Sequence, residues 1–262
     1  MEEIISPIPR EVLKAELTPD KHLRMTNKSN NEVYVVTWQD SPNVVMEIGR
    51  LREIAFRAAG GGTGKSYDLD EYDTCDNPYK QLIVWDPEEE EIVGGYRYIL
   101  GKDWEIGSDG QPNLATSHMF RFSERFMKDY APWTVELGRS FVTLEYQSTL
   151  RGRKGIFALD NLWDGLGAVL KQTPNAKYFF GKVTMYSQYD KALRDMILFF
   201  MHKFFPDNDN LIYPYPEVAI KTKARAAIMK LRLDGDNYQN SYRTLSKYVR
   251  ENGSVIPPLF NA

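Results

Sequence analysis

Val135-Glu136-Leu137-Gly138-Arg139-Ser140-Phe141-Val142 places a carboxylate and a guanidinium three positions apart in a run that otherwise reads as a buried strand. Its β-branched and aromatic content predicts a central strand over Trp133–Thr143. A charge in such a strand faces water or is paired inside, because an unpaired buried charge is too costly. On a regular strand, residues 136 and 139 point to opposite faces. Gly138 between them is a natural site for a β-bulge, which shifts the alternation and brings Glu136 and Arg139 to one face. A bulge also leaves a backbone N–H unpaired, a donor suited to polarising a carbonyl.

Upstream, Gln81–Asp86 and Glu91–Leu100 read as an antiparallel hairpin across Pro87-Glu88-Glu89-Glu90. Arg97, in Gly94-Gly95-Tyr96-Arg97, stands in it among apolar neighbours. Leu51-Arg52…Phe56 and Asp70-Glu71-Tyr72-Asp73 supply a third arginine and further acids, so strand arginines and carboxylates can pair across adjacent strands. Before these, Glu32–Trp38 is a predicted strand. Ser41-Pro42 then opens a helix carrying Val44, Ile48, Leu51, Ala55 and Ala58 on one face and ending at Gly60-Gly61-Gly62.

Downstream, the pattern predicts a helix near Ser123–Tyr130 and a helical stripe at Ile156, Leu159, Trp163, Leu166 and Leu170. A strand over Lys177–Tyr186 and an apolar-faced helix over Tyr189–Phe205 follow. The alternation is that of a mixed α/β sheet. We divide the chain into an N-terminal extension (1–32, with a helix near Arg10–Leu17), a core (33–205) and a C-terminal helical extension (206–262). The last has helices near Glu217–Leu231 and Ser241–Glu251. It ends without a closing hairpin, which leaves a truncated chain or a sheet completed in another way.

At 262 residues, with 42% hydrophobic and 26% charged residues, the chain has the balance of a globular protein. A net charge of −3 gives no global attraction to nucleic acid. Cys75 is the only cysteine, so there is no internal disulfide and the expected compartment is the cytoplasm. The longest apolar run, Met196–Met201, is far short of the roughly 20 residues that span a bilayer, which leaves at most peripheral contact with the inner membrane. His22, His118 and His202 lack metal-ligand spacing, and no metal is expected. Cys75 has no evident histidine partner, which argues against a thiol nucleophile and for direct transfer.

Ala59-Gly60-Gly61-Gly62-Thr63-Gly64-Lys65-Ser66 fits a relaxed phosphate-loop pattern. The chemistry needs a buried strand before the loop and a helix after it. Here an amphipathic helix precedes it and the acidic, poorly helical Tyr67–Asp73 follows, so we read a helix-end loop instead.

Asp70-x-x-Asp73, Gly94-x-x-Arg97, Met119-Phe120 and Glu136-x-Gly138-Arg139 come in the order and approximate spacing of the acyl-homoserine-lactone synthases. Glu136-Leu137-Gly138-Arg139-Ser140 and Phe122-Ser123-Glu124-Arg125-Phe126 more closely resemble their GNAT relatives, the bacterial amino-acid N-acyltransferases that make ornithine and glycine lipids. Arg97 is not followed by the Pro-Thr of the lactone synthases, and residues 57–69 lack their tryptophan. The resemblance covers roughly Leu51 to Tyr186 and implies a GNAT fold. It also implies transfer of a (3-hydroxy)acyl chain from the phosphopantetheine thioester of acyl carrier protein, or from acyl-CoA, to a small amino acid such as glycine. The product would be an N-acyl amino acid lipid, formed without a tightly bound cofactor.

On that resemblance, Glu136 is the candidate base, taking a proton from the attacking amine directly or through a water. Arg139 and Arg97 are expected to hold Asp73 and Glu136, and one of the arginines to meet the acceptor carboxylate. Arg52, Phe56, Asp70, Ser140 and Phe141 are expected to line the acceptor side. Arg151, Gly152, Arg153, Lys154 and Gly155 occupy the position of the donor-phosphate loop of GNAT proteins and offer cations to a carrier protein. Two other readings stay open: an acetyl-CoA-dependent GNAT acetyltransferase, and a catalytically silent GNAT-fold binding module.

Overall fold

The structure, a computed structural model, describes residues 1–147, 152–220, 231, 237–257 and 260. The chain divides into two compact units. One comprises Met1–Ala115 and Met127–Gly181, the other Thr116–Phe126 and Lys182–Ala262. The segment 33–205 is therefore shared between them, and the residues before Glu32 belong to the first unit.

The first unit holds strands β1 (His22–Met25), β2 (Glu32–Val36), β3 (Lys80–Asp86) and β4 (Glu91–Leu100). After β5 (Phe120–Phe122), which lies in the second unit, come β6 (Thr134–Val142) and β7 (Tyr178–Gly181). The sheet order is β1-β2-β3-β4-β6-β7. Neighbours are antiparallel except β6 and β7, which run parallel. That parallel pairing extends from Thr134↔Tyr178 to Leu137↔Gly181, after which β6 continues to Val142 alongside β4. β7 is shorter than the Lys177–Tyr186 strand expected from composition, and β1 was not expected.

Each face of the sheet carries a helix. Leu82 and Val84 pack with Leu162, Leu166 and Val169 of the helix Ala158–Gln172 (α6), while Ile83 and Trp85 pack with Val44, Val45, Ile48 and Leu51 of α2 (Pro42–Ala58). Burial on both faces explains why the middle of β3 is apolar at successive positions instead of alternating with polar residues. α2 opens after Ser41 with a proline at the start of the helix, as its sequence predicts. Gly165 lets α6 approach closely: a β-carbon there would stand 2.8 Å from Leu82 Cδ2. α1 (Arg10–Glu16) adds Leu13, and the chain just after it Leu17, to the α2 side of the core.

In the second unit, β5 pairs with β8 (Ile212–Pro214), and Leu193, Met196, Ile197 and Phe200 of α7 (Lys191–Phe204) pack with Leu245 and Val249 of the helix Tyr238–Glu251. The apolar stripe around Met196 and Phe200 is thus core. The short strands β5 and β8 were not anticipated, and the helix expected near Ser123–Tyr130 is α4 (Glu124–Asp129). Of the helix expected over Glu217–Leu231, residues 217–220 are non-helical and 221–230 lie outside the described residues.

Candidate active site

Strand parity decides which side chains meet. Tyr96, Tyr98 and Leu100 of β4 pack in the α6 cluster, so Arg97 and Ile99 face the α2 side. The register pairs Arg97 with Gly138 and Ile99 with Glu136, which puts Glu136 on that side too. The next pair in register is Gly95↔Phe141, so Arg139 and Ser140 together oppose Tyr96. This is a β-bulge, and it falls one position later than expected: Arg139, not Gly138, adopts the left-handed conformation, with φ 49°. Ser140 hydrogen-bonds the Tyr96 hydroxyl, and Arg139 turns to two carboxylates that precede the short helix α3 (Glu71–Thr74).

Asp70 and Asp73 are three apart for a local reason. They form the capping box of α3, in which Asp70 accepts from the Tyr72 N–H and Asp73 accepts from the Asp70 N–H. Their remaining valences meet arginines. Arg97 Nη1 lies 2.6 Å from Asp70 Oδ1 and 3.0 Å from Asp73 Oδ2. Arg52 Nη1 lies 3.3 Å from Asp73 Oδ1, and Arg52 Nη2 donates to Gln81 at 2.5 Å, while the Gln81 amide donates to Asp73 Oδ1 at 2.9 Å. Arg139 Nε stands 2.9 Å from Asp68 Oδ2, and its Nη2 3.2 Å from Asp70 Oδ2. Arg52 and Asp73 are sealed from water and Arg97 nearly so, whereas the Arg139 and Asp70 side chains are 26% and 31% exposed. The network runs from a dry interior to one solvent-facing ion pair.

Glu136 is buried, and its Oε2 accepts from the Tyr79 hydroxyl. The Tyr79 ring lies 5.0 Å from the Arg97 guanidinium. Arg97 on Asp73 is one of the contacts expected of Arg139 and Arg97. The bulge sends Arg139 to Asp68 and Asp70. Phe141 packs into the α2 core, and Phe56 lies half-buried against it.

In the segment read as a donor-phosphate loop, Arg151 lies outside the described residues. Gly152 takes φ 54°, and Arg153, Lys154 and Gly155 fall in α5 (Arg153–Ile156). Lys154 Nζ sits 2.9 Å from the buried Asp86, 2.8 Å from Glu88 and 3.4 Å from Glu89. Burial pulls its ammonium down, but the acids outweigh it and hold it above the ordinary lysine range. A phosphate at Lys154 would have to compete with Asp86, which needs that cation.

The glycine-rich loop is likewise engaged internally. The buried Glu53 carboxylate accepts from the Thr63 and Gly64 N–H groups and from the Thr63 hydroxyl. The amides that a phosphate loop would present are turned onto a side chain of the preceding helix.

Residues 51–152, which contain the whole network, match the acetyltransferase (GNAT) domain family. Over its full length the chain is 62% identical to a glycine N(alpha)-acyltransferase of Phocaeicola vulgatus, of which it spans 80%. It is 60% identical to another of Bacteroides thetaiotaomicron, of which it spans 77%. The chain belongs to the GNAT N-acyltransferases. No solved structure matches it.

Three members of this acyltransferase's network were not anticipated: Asp68, Tyr79 and Gln81. Gln81 stands directly across from Arg97 only because the register shifts by one residue between Val84 and Trp85; the pairing that starts at the Pro87–Glu90 turn would by itself set Gln81 opposite Tyr96. Tyr79 lies before the strand and is brought in by the fold of the α3–β3 connection, through the bond from its N–H to the Tyr72 carbonyl.

Asp73 also gives the site a definite response to acid. Burial alone would raise its carboxyl, but Arg52 and Arg97 hold it well below the usual carboxylate range. The unfolded chain, titrating near 3.9, therefore takes up this proton first as the pH falls. The stability Asp73 contributes is complete above about pH 4 and drains as the pH drops from there through the depressed folded value. Urea unfolding at pH 5 and at about pH 3 is expected to show this loss in the wild-type chain and a shallower one in Asp73→Asn. Equal slopes would remove Asp73 as its source.

Proposed function

We propose that the protein transfers a 3-hydroxyacyl or similarly long acyl chain from the phosphopantetheine thioester of acyl carrier protein to the amine of glycine. The product is an N-acylglycine lipid. The observation that carries the reaction is the bulged strand β6, which sets the buried Glu136 carboxylate and the half-exposed Arg139 guanidinium on one side of the sheet. The acceptor rests on the relatives, whose name specifies glycine over the full length of the match.

In this reading, glycine arrives as a zwitterion at the solvent-facing pair, its carboxylate meeting Arg139. Glu136, directly or through a water, removes the proton that keeps the amine from being nucleophilic. The amine nitrogen attacks the thioester carbonyl carbon and the C–N bond forms; the C–S bond then breaks, and the proton the nitrogen sheds in becoming an amide goes to the departing pantetheine sulfur, which leaves as the thiol. A backbone N–H of the bulge polarises the carbonyl. Arg97, Asp73 and Arg52 hold the arrangement rigid. The stretch of β6 beyond its pairing with β7 receives the donor arm, and the turn at Gly152 and Gly155 lies toward its phosphate. Among the described residues no helix is long and apolar enough to cross a membrane, and an amphiphilic product fits peripheral work at the inner membrane from the cytoplasm.

The test is incubation with carrier proteins bearing acetyl through palmitoyl chains, with the matching CoA esters and a pool of amino acids, read by mass spectrometry. N-acylglycine from long-chain carrier protein is the expected product. Products from acetyl-CoA alone would overturn the donor, acylation of another amino acid the acceptor, and no turnover with any donor would favour a binding module.

A further inference from the structure

We propose that Tyr79 is a positioning residue for acyl transfer, fixing the Glu136 carboxylate and tying it to the arginine network. The inference rests on Glu136 being the base. Tyr79 is 2% exposed and touches two charged groups: its hydroxyl donates to Glu136 Oε2, and its ring lies against the Arg97 guanidinium at 5.0 Å.

The direction of the hydroxyl proton follows from its other contact. The Tyr79 oxygen accepts the Ala115 N–H at 3.1 Å, which leaves its own hydrogen for the carboxylate. Burial, and then the adjacent Glu136 charge, push the phenol far above the ordinary tyrosine range, so it remains a donor at any working pH. The ring edge is also fixed by Tyr72, whose centroid is 5.9 Å away, and Tyr72 stands within α3 between the two capping acids. One side chain thus holds a carboxylate oxygen in place and keeps the cation of Arg97 at a set distance from it. A carboxylate that abstracts a proton must point along the right direction when the amine arrives, and a loss of order 1 Å in placement is costly.

Tyr79→Phe keeps the ring, its contact with Arg97 and the packing, and removes the donor to Glu136 together with the acceptor of the Ala115 N–H. The expected result is a fall in kcat of about 10-fold to 100-fold, the range for a hydrogen bond to a charged group, with KM for glycine and for the acyl donor unchanged within about twofold. In a Glu136→Gln background the same substitution is expected to have little further effect, because the two act as a unit. A fluorinated tyrosine introduced at 79, which retains the hydroxyl, is expected to restore kcat to within about twofold of wild type. Unchanged kcat in Tyr79→Phe would overturn the proposal. So would an equal loss in both backgrounds, a change confined to KM, or a fluorotyrosine protein as impaired as the phenylalanine one. Full activity of Glu136→Gln on its own would instead strike the base assignment, so the two failures are told apart.

Discussion

Glu136→Gln is expected to lower kcat by about 10² to 10⁴ while leaving KM for glycine nearly unchanged, the signature of a group that acts on the proton and not on binding. Glutamine keeps the shape of the side chain and can still accept from Tyr79, so the fold is retained. What it loses is the ability to accept a proton. The measurement is steady-state kinetics with a long-chain carrier-protein donor. A kcat within twofold of wild type would dismiss Glu136 as the base and leave it a structural partner of Tyr79.

The second large effect is on stability. Asp73→Ala leaves two guanidiniums, Arg52 and Arg97, inside the protein without their shared counterion. Removing one partner of a buried ion pair costs about 3–5 kcal/mol, because the charge left behind cannot be resolvated. An exposed pair offers the contrast. Arg10 and Glu91 approach more closely, at 2.6 Å, but their side chains are 55% and 30% exposed, and Arg10→Ala is expected to change stability by less than about 1 kcal/mol. Urea denaturation of both variants decides the matter. An Asp73→Ala protein as stable as Arg10→Ala would mean that water reaches the arginines.

Much of this architecture could be read from the chain, and the reasons are local. The β3–β4 hairpin declares itself through two apolar runs around an acidic proline turn. The helices declare themselves through their stripes, with Ser41-Pro42 marking one start. That Asp70, Asp73, Arg97 and Arg52 would be brought together followed from the cost of leaving charges unpaired among apolar neighbours. The pairing itself did not follow. Which carboxylate Arg139 meets depends on where one extra residue enters β6, and composition pointed to the glycine while the fold uses its neighbour. Asp68 and Tyr79 lie in connections with no periodicity, and only tertiary contacts bring them in. Lys154 shows the limit from the other side. Its sequence context is a basic loop, yet Asp86, buried at the end of β3, recruits its charge.

The left-handed backbone at Arg139 has one more consequence, for how this position can change over time. Glycine is the replacement its backbone would accept most readily, and glycine carries no charge. Lysine preserves the charge, but it gives up the planar fork that reaches Asp68 and Asp70 together, and as an L-residue with a side chain it stays in the same uncommon conformation. Two independent filters, one geometric and one electrostatic, thus reject opposite halves of the usual conservative substitutions. Drift at residue 139 is confined to routes that move the bulge and its acids together.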